Sequence, residues 1–262
     1  MARFATLCSS SKGNSTYIGT AEHGILVDAG SNAKQLELSL AQLQLDPTKI
    51  DAIFVTHEHT DHVSGIRVFA SRYEIPVYAS PGTYKALLGM QILNGKFPAY
   101  EMTKDVCIGD IGVTAFRTSH DAKESTGYTI DLGERRVGIC TDTGIMTNEI
   151  LRHLQDCDLV LLESNHDPDM LEFGPYPLPL RNRIKSKWGH LSNGTCAETA
   201  TELLNNLRTR RFILGHLSQE NNTADKAYTC TKSAFDKLGA IENQDYTLCV
   251  APEKCCEKYI IF

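Results

Sequence analysis

The chain has 262 residues, of which 42% are hydrophobic and 22% charged, and its net charge is -6 at neutral pH. That is the make-up of a globular domain, and it excludes a disordered arm, a transmembrane bundle and a broadly basic surface that coats nucleic acid without selectivity. Met1 to Cys8 lacks the basic start and long apolar core of a signal peptide, and no run approaches the ~18 apolar residues of a membrane span; a cytoplasmic protein without membrane contact is expected. Nine cysteines, an odd number with no Cys-x-x-Cys among them, are expected as reduced thiols, mostly buried, with Cys255-Cys256 as an exposed feature of the tail.

In chain order, Phe4 to Leu7 reads as the first strand and is followed by Ser9-Ser10-Ser11-Lys12-Gly13-Asn14. In that donor-rich loop Gly13 and Asn14 suit a tight turn, and Ser10 and Ser11 are candidate phosphate contacts. The strand Ile25 to Val27 runs into Asp28, and Ala33 to Leu43 sets Leu36, Leu40 and Leu43 on one helical stripe. Asp51 to Thr56 is apolar and β-branched, a buried strand that stops where His57-Glu58-His59-Thr60-Asp61-His62 begins. Ionisable groups packed this closely would repel or desolvate one another unless a cation organised them. The apolar positions Val63, Ile66, Phe69 and Ala70 then predict a helix over Val63 to Arg72 with its N-terminus at the cluster.

The same arrangement, an apolar strand followed at once by His or Asp, recurs further on. Val113 to Phe116 leads to His120, Val137 to Cys140 leads to Asp142, and Phe212 to Leu214 leads to His216; Val77 to Ala79, Tyr128 to Asp131, Leu159 to Leu162 and Tyr246 to Val250 are the remaining predicted strands. Glu163 and His166 follow the strand at Leu159. Arg181, Arg183, Lys185 and Lys187 form an acid-free basic run ahead of His190, readable either as a solvated helix face or as an edge that grips phosphate. Ser192 and Asn193 are good caps for a helix over Thr195 to Leu207, whose stripe is Ala200, Leu203, Leu204 and Leu207. His23 and His153 have no motif around them and are expected at the surface. Hairpin-like neighbours between residues 106 and 140 break a strict βαβ alternation, so a layered sheet sandwich flanked by helices fits better than one doubly wound sheet.

The order of Asp28, His-x-His-x-Asp-His, His120, Asp142 and His216 resembles the five-motif pattern of the metallo-β-lactamase fold superfamily, across nearly the whole chain. The resemblance implies an α/β fold, an αββα sandwich forming a single domain over residues 1–262, with a two-metal site at one edge. His57, His59 and His120 would bind one divalent ion, Asp61, His62 and His216 the other, Asp142 would bridge them, and Asp28 would support the site from behind. A His and Asp ligand set suits zinc and tolerates manganese. Two such ions activate water and stabilise both the attacking and the leaving oxygen of a displacement.

Leu161-Leu-Glu163-Ser-Asn165-His166-Asp167, Gly189-His190-Leu-Ser192-Asn193 and Gly215-His216-Leu-Ser218, with Leu7 to Ser15, resemble the YycJ/WalJ-type branch, which is related to tRNase Z. That branch implies 5′-to-3′ exonuclease action on double-stranded DNA. Asp61, Glu163 and His190 would form the catalytic set, Glu163 orienting His190 as proton donor to the departing oxygen. Ser10, Ser11, Arg181, Arg183, Lys185 and Lys187, with the stretch from Pro81 to Phe97, would contact DNA, because the large inserted domain of RNase J-type relatives has no room between Asp142 and His216. A phosphodiesterase of small cyclic phosphates, a glyoxalase-type thioester hydrolase and a metal-stabilised regulatory or partner-binding protein share the metal motif.

Overall fold

The computed structural model describes residues 1–206, 208–256 and 258–262. Leu207, assigned from the sequence to a helical stripe, lies outside the described residues. Among the described residues fourteen strands form two sheets. They are β1 (Arg3–Ser10), β2 (Gly13–Gly19), β3 (Gly24–Val27), β4 (Ala52–Val55), β5 (Val77–Ala79), β6 (Ala99–Glu101), β7 (Val106–Ile108), β8 (Ile111–Arg117), β9 (Thr126–Leu132), β10 (Arg135–Cys140), β11 (Leu159–Glu163), β12 (Arg211–Gly215), β13 (Thr247–Val250) and β14 (Ile260–Ile261). The helices are α1 (Ala33–Gln42), α2 (Thr60–Val63), α3 (Ile66–Tyr73), α4 (Pro81–Gly89), α5 (Asn148–Leu154), α6 (Pro168–Phe173), α7 (Leu178–Lys185), α8 (Asn193–Asn205) and α9 (Ala224–Lys237).

Side-chain alternation along the strands explains the layering. On β4, Ala52 and Phe54 point into the core between the sheets, whereas Ile53 and Val55 point outward with Leu36, Leu40 and Phe69 from α1 and α3. On β11, Leu159 and Leu161 face the same inner core, and Val160 and Leu162 face Ile150, Leu203 and Phe235 from α5, α8 and α9. Strands apolar on both faces need cover on both, so the order is helices, sheet, sheet, helices, the αββα sandwich expected.

The sheet orders are β14-β1-β2-β3-β4-β5-β6 and β13-β12-β11-β10-β9-β8-β7. In each, antiparallel hairpins give way to a parallel set, β3 to β6 in one and β10 to β13 in the other. Metal-capable side chains gather where the parallel strands end. Asp28 follows β3, His57 to His62 follow β4, Asp142 follows β10, Glu163 ends β11 and His216 follows β12.

All ten strands expected from the sequence are present, and four others, β2, β6, β7 and β14, were not anticipated. Gly13 and Asn14 begin β2, opposite Ser10 and Ser9, so the turn itself is made by Ser11 and Lys12. The helix predicted over Val63 to Arg72 is split at Gly65, whose amide donates to Ala29 O at 2.8 Å. A Cβ there would stand 2.0 Å from Ser31 O, so only glycine lets the two segments approach. All nine cysteines are free thiols. Cys255 and Cys256 are half-buried rather than exposed, packed on the outer core under α1, with the Cys256 amide bonded to Thr6 O at 3.1 Å. His153 is likewise half-buried, stacked on Phe116 with ring centroids 4.9 Å apart.

Candidate metal centre

Among the described residues four sets of ligand atoms lie within 4.8 Å of one another: His57, His59 and His120; Asp61, His62 and His216; His57, His62 and Asp142; and Asp142, Glu163, His190 and His216. The first two sets are the two ligand groups expected from the motif order, and Asp142 belongs to both of the sets that lie between them.

The rings are oriented by what their other nitrogens touch. Asp28 Oδ2 accepts from His62 Nδ1 at 2.7 Å and from the Thr56 hydroxyl at 2.8 Å, while Asp28 Oδ1 accepts from the Thr56 amide at 2.8 Å. The Thr56 oxygen in turn lies 3.0 Å from His57 Nδ1. His120 Nδ1 donates to Gly189 O at 3.1 Å, and His216 Nδ1 donates to Glu163 Oε1 at 2.9 Å. With each Nδ1 occupied, the Nε2 lone pairs of His57, His62, His120 and His216 are left for the centre. His59 is the exception, presenting Nδ1, which lies 3.3 Å from His120 Nε2.

Inside the cluster the contacts are long for hydrogen bonds and have the spacing of ligands around a shared cation. His62 Nε2 lies 3.3 Å from both Asp61 Oδ2 and Asp142 Oδ2, and His216 Nε2 lies 3.4 Å from Asp61 Oδ2 and 3.5 Å from Asp142 Oδ1. Two ligands about 2.0–2.1 Å from one tetrahedral ion stand about 3.3 Å apart. His57 Nε2 and Asp142 Oδ2 are buried with no hydrogen-bond partner among the described residues, although an unpaired buried polar atom costs about 1–3 kcal/mol. These residues therefore fit a pair of divalent ions.

Backbone strain marks the same positions. Asp28, Asp142 and His216 have φ of 60°, 56° and 55°, in the left-handed region that non-glycine residues seldom occupy. Each such turn comes directly after a strand and carries the side chain across the strand ends. Helix α2, which carries Asp61, also sits close on the backbone after β3, since a Cβ on Gly30 would stand 1.7 Å from Asp61 O.

Burial and neighbouring imidazoles, His62, His120 and His59, hold the proton affinity of His57 well below the ordinary range. Burial acts the same way on His216, but Asp142, Asp61 and Glu163 outweigh it and push its pKa up to about 10. His62 is raised well above the usual value against its burial, by Asp142 and Asp28. Asp61 is held below the usual carboxylate range because its bonds to His216 and His62 outweigh burial. Buried carboxylates facing imidazoles set these opposing directions, and bound divalent ions would supply the same compensation of charge.

Glu163 and His190 stand at the rim. His190 Nδ1 is 2.7 Å from Glu163 Oε1, the oxygen that also holds His216, and Glu163 Oε2 accepts from the amides of Thr143 and Leu191 at 3.1 and 3.2 Å. The cap of α8 is Ser192, whose hydroxyl accepts from the Thr195 amide at 3.2 Å, so His190 is not needed to cap the helix. A cleft of about 470 Å³ opens beside His190, lined by Gly144, His166, Glu172, Lys185, Ser192 and Thr195 among others.

The candidate substrate contacts are dispersed. Ser10 is buried, its hydroxyl accepting from the Lys12 amide, while Ser11 is exposed at the turn. Arg183 pairs with Asp121, Lys185 and Arg181 both pair with Glu172, and Lys187 lies over the Trp188 ring. Three of the four cations are thus engaged by acids of this same chain. His23 pairs with Asp51 at 3.2 Å, away from the site.

Sequence reasoning passed over several supporting residues. The Asn14 amide donates to Asp61 Oδ2 at 3.3 Å and to Ser10 O at 2.8 Å, and Ser9 Oγ accepts from the His216 amide at 2.9 Å. Thr56 adjoins the histidine run, a position that signals it. Asn193 and Asn222 bond side chain to side chain at 2.8 Å, and Asn222 also donates to Ser164 O and Asn165 O, tying the β11, α8 and β12 ends together.

The family profile described as beta-lactamase superfamily domain matches residues 23–217, and the chain belongs to that superfamily. It has the metallo-β-lactamase fold, and divalent metal ions go with its His and Asp clusters. Among curated relatives, exodeoxyribonuclease WalJ of Streptococcus pneumoniae is 37% identical over 231 residues, covering 86% of this chain and 85% of that protein. Exodeoxyribonuclease YycJ of Bacillus anthracis is 34% identical over 241 residues, covering 90% of each. Among solved structures, the metallo-beta-lactamase fold protein YhfI of Bacillus subtilis superposes with a TM-score of 0.73 at 15% identity, over 97% of both chains. No helix among the described residues is long and apolar enough to cross a membrane.

Proposed function

We propose that this chain is a two-metal exodeoxyribonuclease that degrades double-stranded DNA in the 5′-to-3′ direction. The observation that carries the reading is the 2.7 Å contact between Glu163 and His190 at the edge of the metal centre. A metal cluster alone serves lactam, thioester and phosphodiester hydrolysis equally; an imidazole clamped by a buried carboxylate adds what a phosphodiester needs, a proton for a departing alkoxide. The relatives named exodeoxyribonucleases, similar over most of their length, support the same choice.

In this reading His57, His59 and His120 would hold one ion and Asp61, His62 and His216 the other, with Asp142 serving both, and a His and Asp set of this kind would take zinc or manganese. When bound they supply activated water and charge compensation for the phosphate oxygens. Asp28 and Thr56 fix the His57 and His62 rings, Glu163 fixes His216 and His190, and His190 gives its proton to the leaving oxygen. Asp61 completes the centre and holds Asn14. DNA lies along the side carrying Ser10, Ser11, Arg181, Arg183, Lys185 and Lys187, and the site of action is the cytoplasm.

Metal analysis of the purified protein, followed by a time course on end-labelled single- and double-stranded DNA and RNA with zinc or manganese supplied, tests this. Stepwise shortening of duplex DNA from its 5′ ends supports it. A metal-loaded protein inert on DNA but active on a cyclic phosphate or a glutathione thioester overturns it.

A further inference from the structure

We propose that the cleft beside His190 is a pocket for a single terminal nucleotide, the fragment that departs in each cycle, and that His166 is its polar anchor. The inference rests on the exonuclease reading above. His166 follows Glu163 by three residues, just beyond the end of β11, and its carbonyl is tied to the Asn193 amide at 2.9 Å. His166 is 4% exposed, yet its Nδ1 has no hydrogen-bond partner among the described residues, although nearly all buried polar atoms in folded proteins have one. The backbone bridge between His166 and Ser192 and the Asn193 amide bond to His166 O fix its backbone on the wall of the cavity, and its Nδ1 is left without a partner among the described residues.

The position of the cleft decides what enters it. His190 lines it and is the group that protonates the leaving oxygen, so the fragment carrying that oxygen lies on this side of the scissile phosphorus. For degradation from a 5′ end, the bond from phosphorus to the 3′ oxygen of the terminal nucleotide breaks. Water oxygen takes its place on phosphorus and releases a proton to solvent, the His190 proton passes to the 3′ oxygen, and solvent reprotonates His190. The products are one mononucleotide with a free 3′ hydroxyl and a strand with a new 5′ phosphate. The fragment beside His190 is therefore the terminal nucleotide itself.

Size and lining agree with that occupant. About 470 Å³ is at the small end of ligand pockets, enough for one nucleotide and too little for a continuing duplex. Ser192 and Thr195 offer hydroxyls, His166 offers an imidazole, and Lys185 stands at the side with Glu172. Hydroxyls and an imidazole suit a sugar and base edge.

Product inhibition tests this. Deoxythymidine 5′-monophosphate, thymidine and inorganic phosphate are compared as inhibitors of duplex degradation by the holoenzyme, with direct binding followed by calorimetry. The mononucleotide is expected to inhibit competitively and at least tenfold more strongly than phosphate. His166→Ala is expected to raise both its inhibition constant and the KM for DNA tenfold or more. The loss on DNA should exceed that on a chromogenic diester by at least tenfold, and His166→Asn should recover part of it. Thr195→Met, which fills the cleft from α8, should reproduce the loss with His166 in place. Unchanged mononucleotide affinity in both variants, or phosphate binding as well as the mononucleotide, overturns the proposal. Calorimetric binding of the mononucleotide by a protein without nuclease activity would support the pocket while removing the exonuclease reading.

Discussion

Glu163 Oε1 lies 2.7 Å from His190 Nδ1 and 2.9 Å from His216 Nδ1, so one buried carboxylate oxygen orients both the candidate proton donor and a candidate metal ligand. Removing either function should leave a different signature. His190→Ala is expected to lower kcat on DNA by about 10²–10⁴-fold with two metal ions still bound, since it takes away only proton transfer. Glu163→Gln should lower kcat and also loosen the metal, because a neutral amide holds the His216 ring less firmly. Metal content measured beside initial rates separates the two; a full rate in His190→Ala would remove it from the chemistry.

Asp28 touches no ion in the proposed centre, yet it accepts three hydrogen bonds, from the amide and hydroxyl of Thr56 and from His62. Asp28→Asn keeps the volume but cannot accept through both oxygens, which frees the His62 ring to turn. Metal affinity should fall by about 10–100-fold, read by competition with a chelating dye. Unaltered affinity would mean that packing alone holds the ring.

His166 gives a signature in pH. Burial pushes its pKa down to about 4, below the about 6.5 of an unfolded histidine. Between those values the unfolded chain binds the extra proton, so this contribution is fully present above pH about 6.5 and is lost as pH falls toward about 4, up to roughly 3 kcal/mol. Urea unfolding of chelator-treated protein at several pH values should show a shallower acid slope for His166→Asn than for the unaltered chain. Identical slopes would place the titration elsewhere.

Glu172 engages both Lys185 and Arg181, so the basic run before His190 is partly neutralised from within. Glu172→Gln should release those cations, tighten DNA binding at low salt, and steepen the dependence of log affinity on log salt by up to about 2. Neutralising Arg181, Arg183, Lys185 and Lys187 together should weaken duplex cleavage and flatten that slope. Fluorescence anisotropy across a salt series measures both; equal slopes would take this face out of the DNA path.

Much of the fold was written locally. The strands at Ile53, Val137, Leu159 and Phe212 are apolar runs, and each is followed by a charged or imidazole side chain, so both the buried segment and the group at its end could be read from neighbours in the chain. β6, β7 and β14 were not legible because two or three residues carry no periodicity; they are strands only because a neighbour offers a ladder. β2 was missed because Gly13–Gly19 is polar as well as fully buried, so it lacks the alternation that marks a half-exposed strand.

The amino-acid sequence by itself determined the candidate donor set, because His57 to His62 follow one another just after β4 and the order of Asp28, His120, Asp142 and His216 requires no folding to be seen. Tertiary structure alone decided which nitrogen of each ring faces the centre, since that depends on Asp28, Gly189 O and Glu163 arriving from other strands. It also decided that Asn14 and Ser9 reach the site and that Glu172 and Asp121 occupy the basic run. The physical reason is common to all of these. A ligand's identity is carried by one residue, whereas its orientation, protonation and free charge are set by whatever distant partner packing brings within about 3 Å.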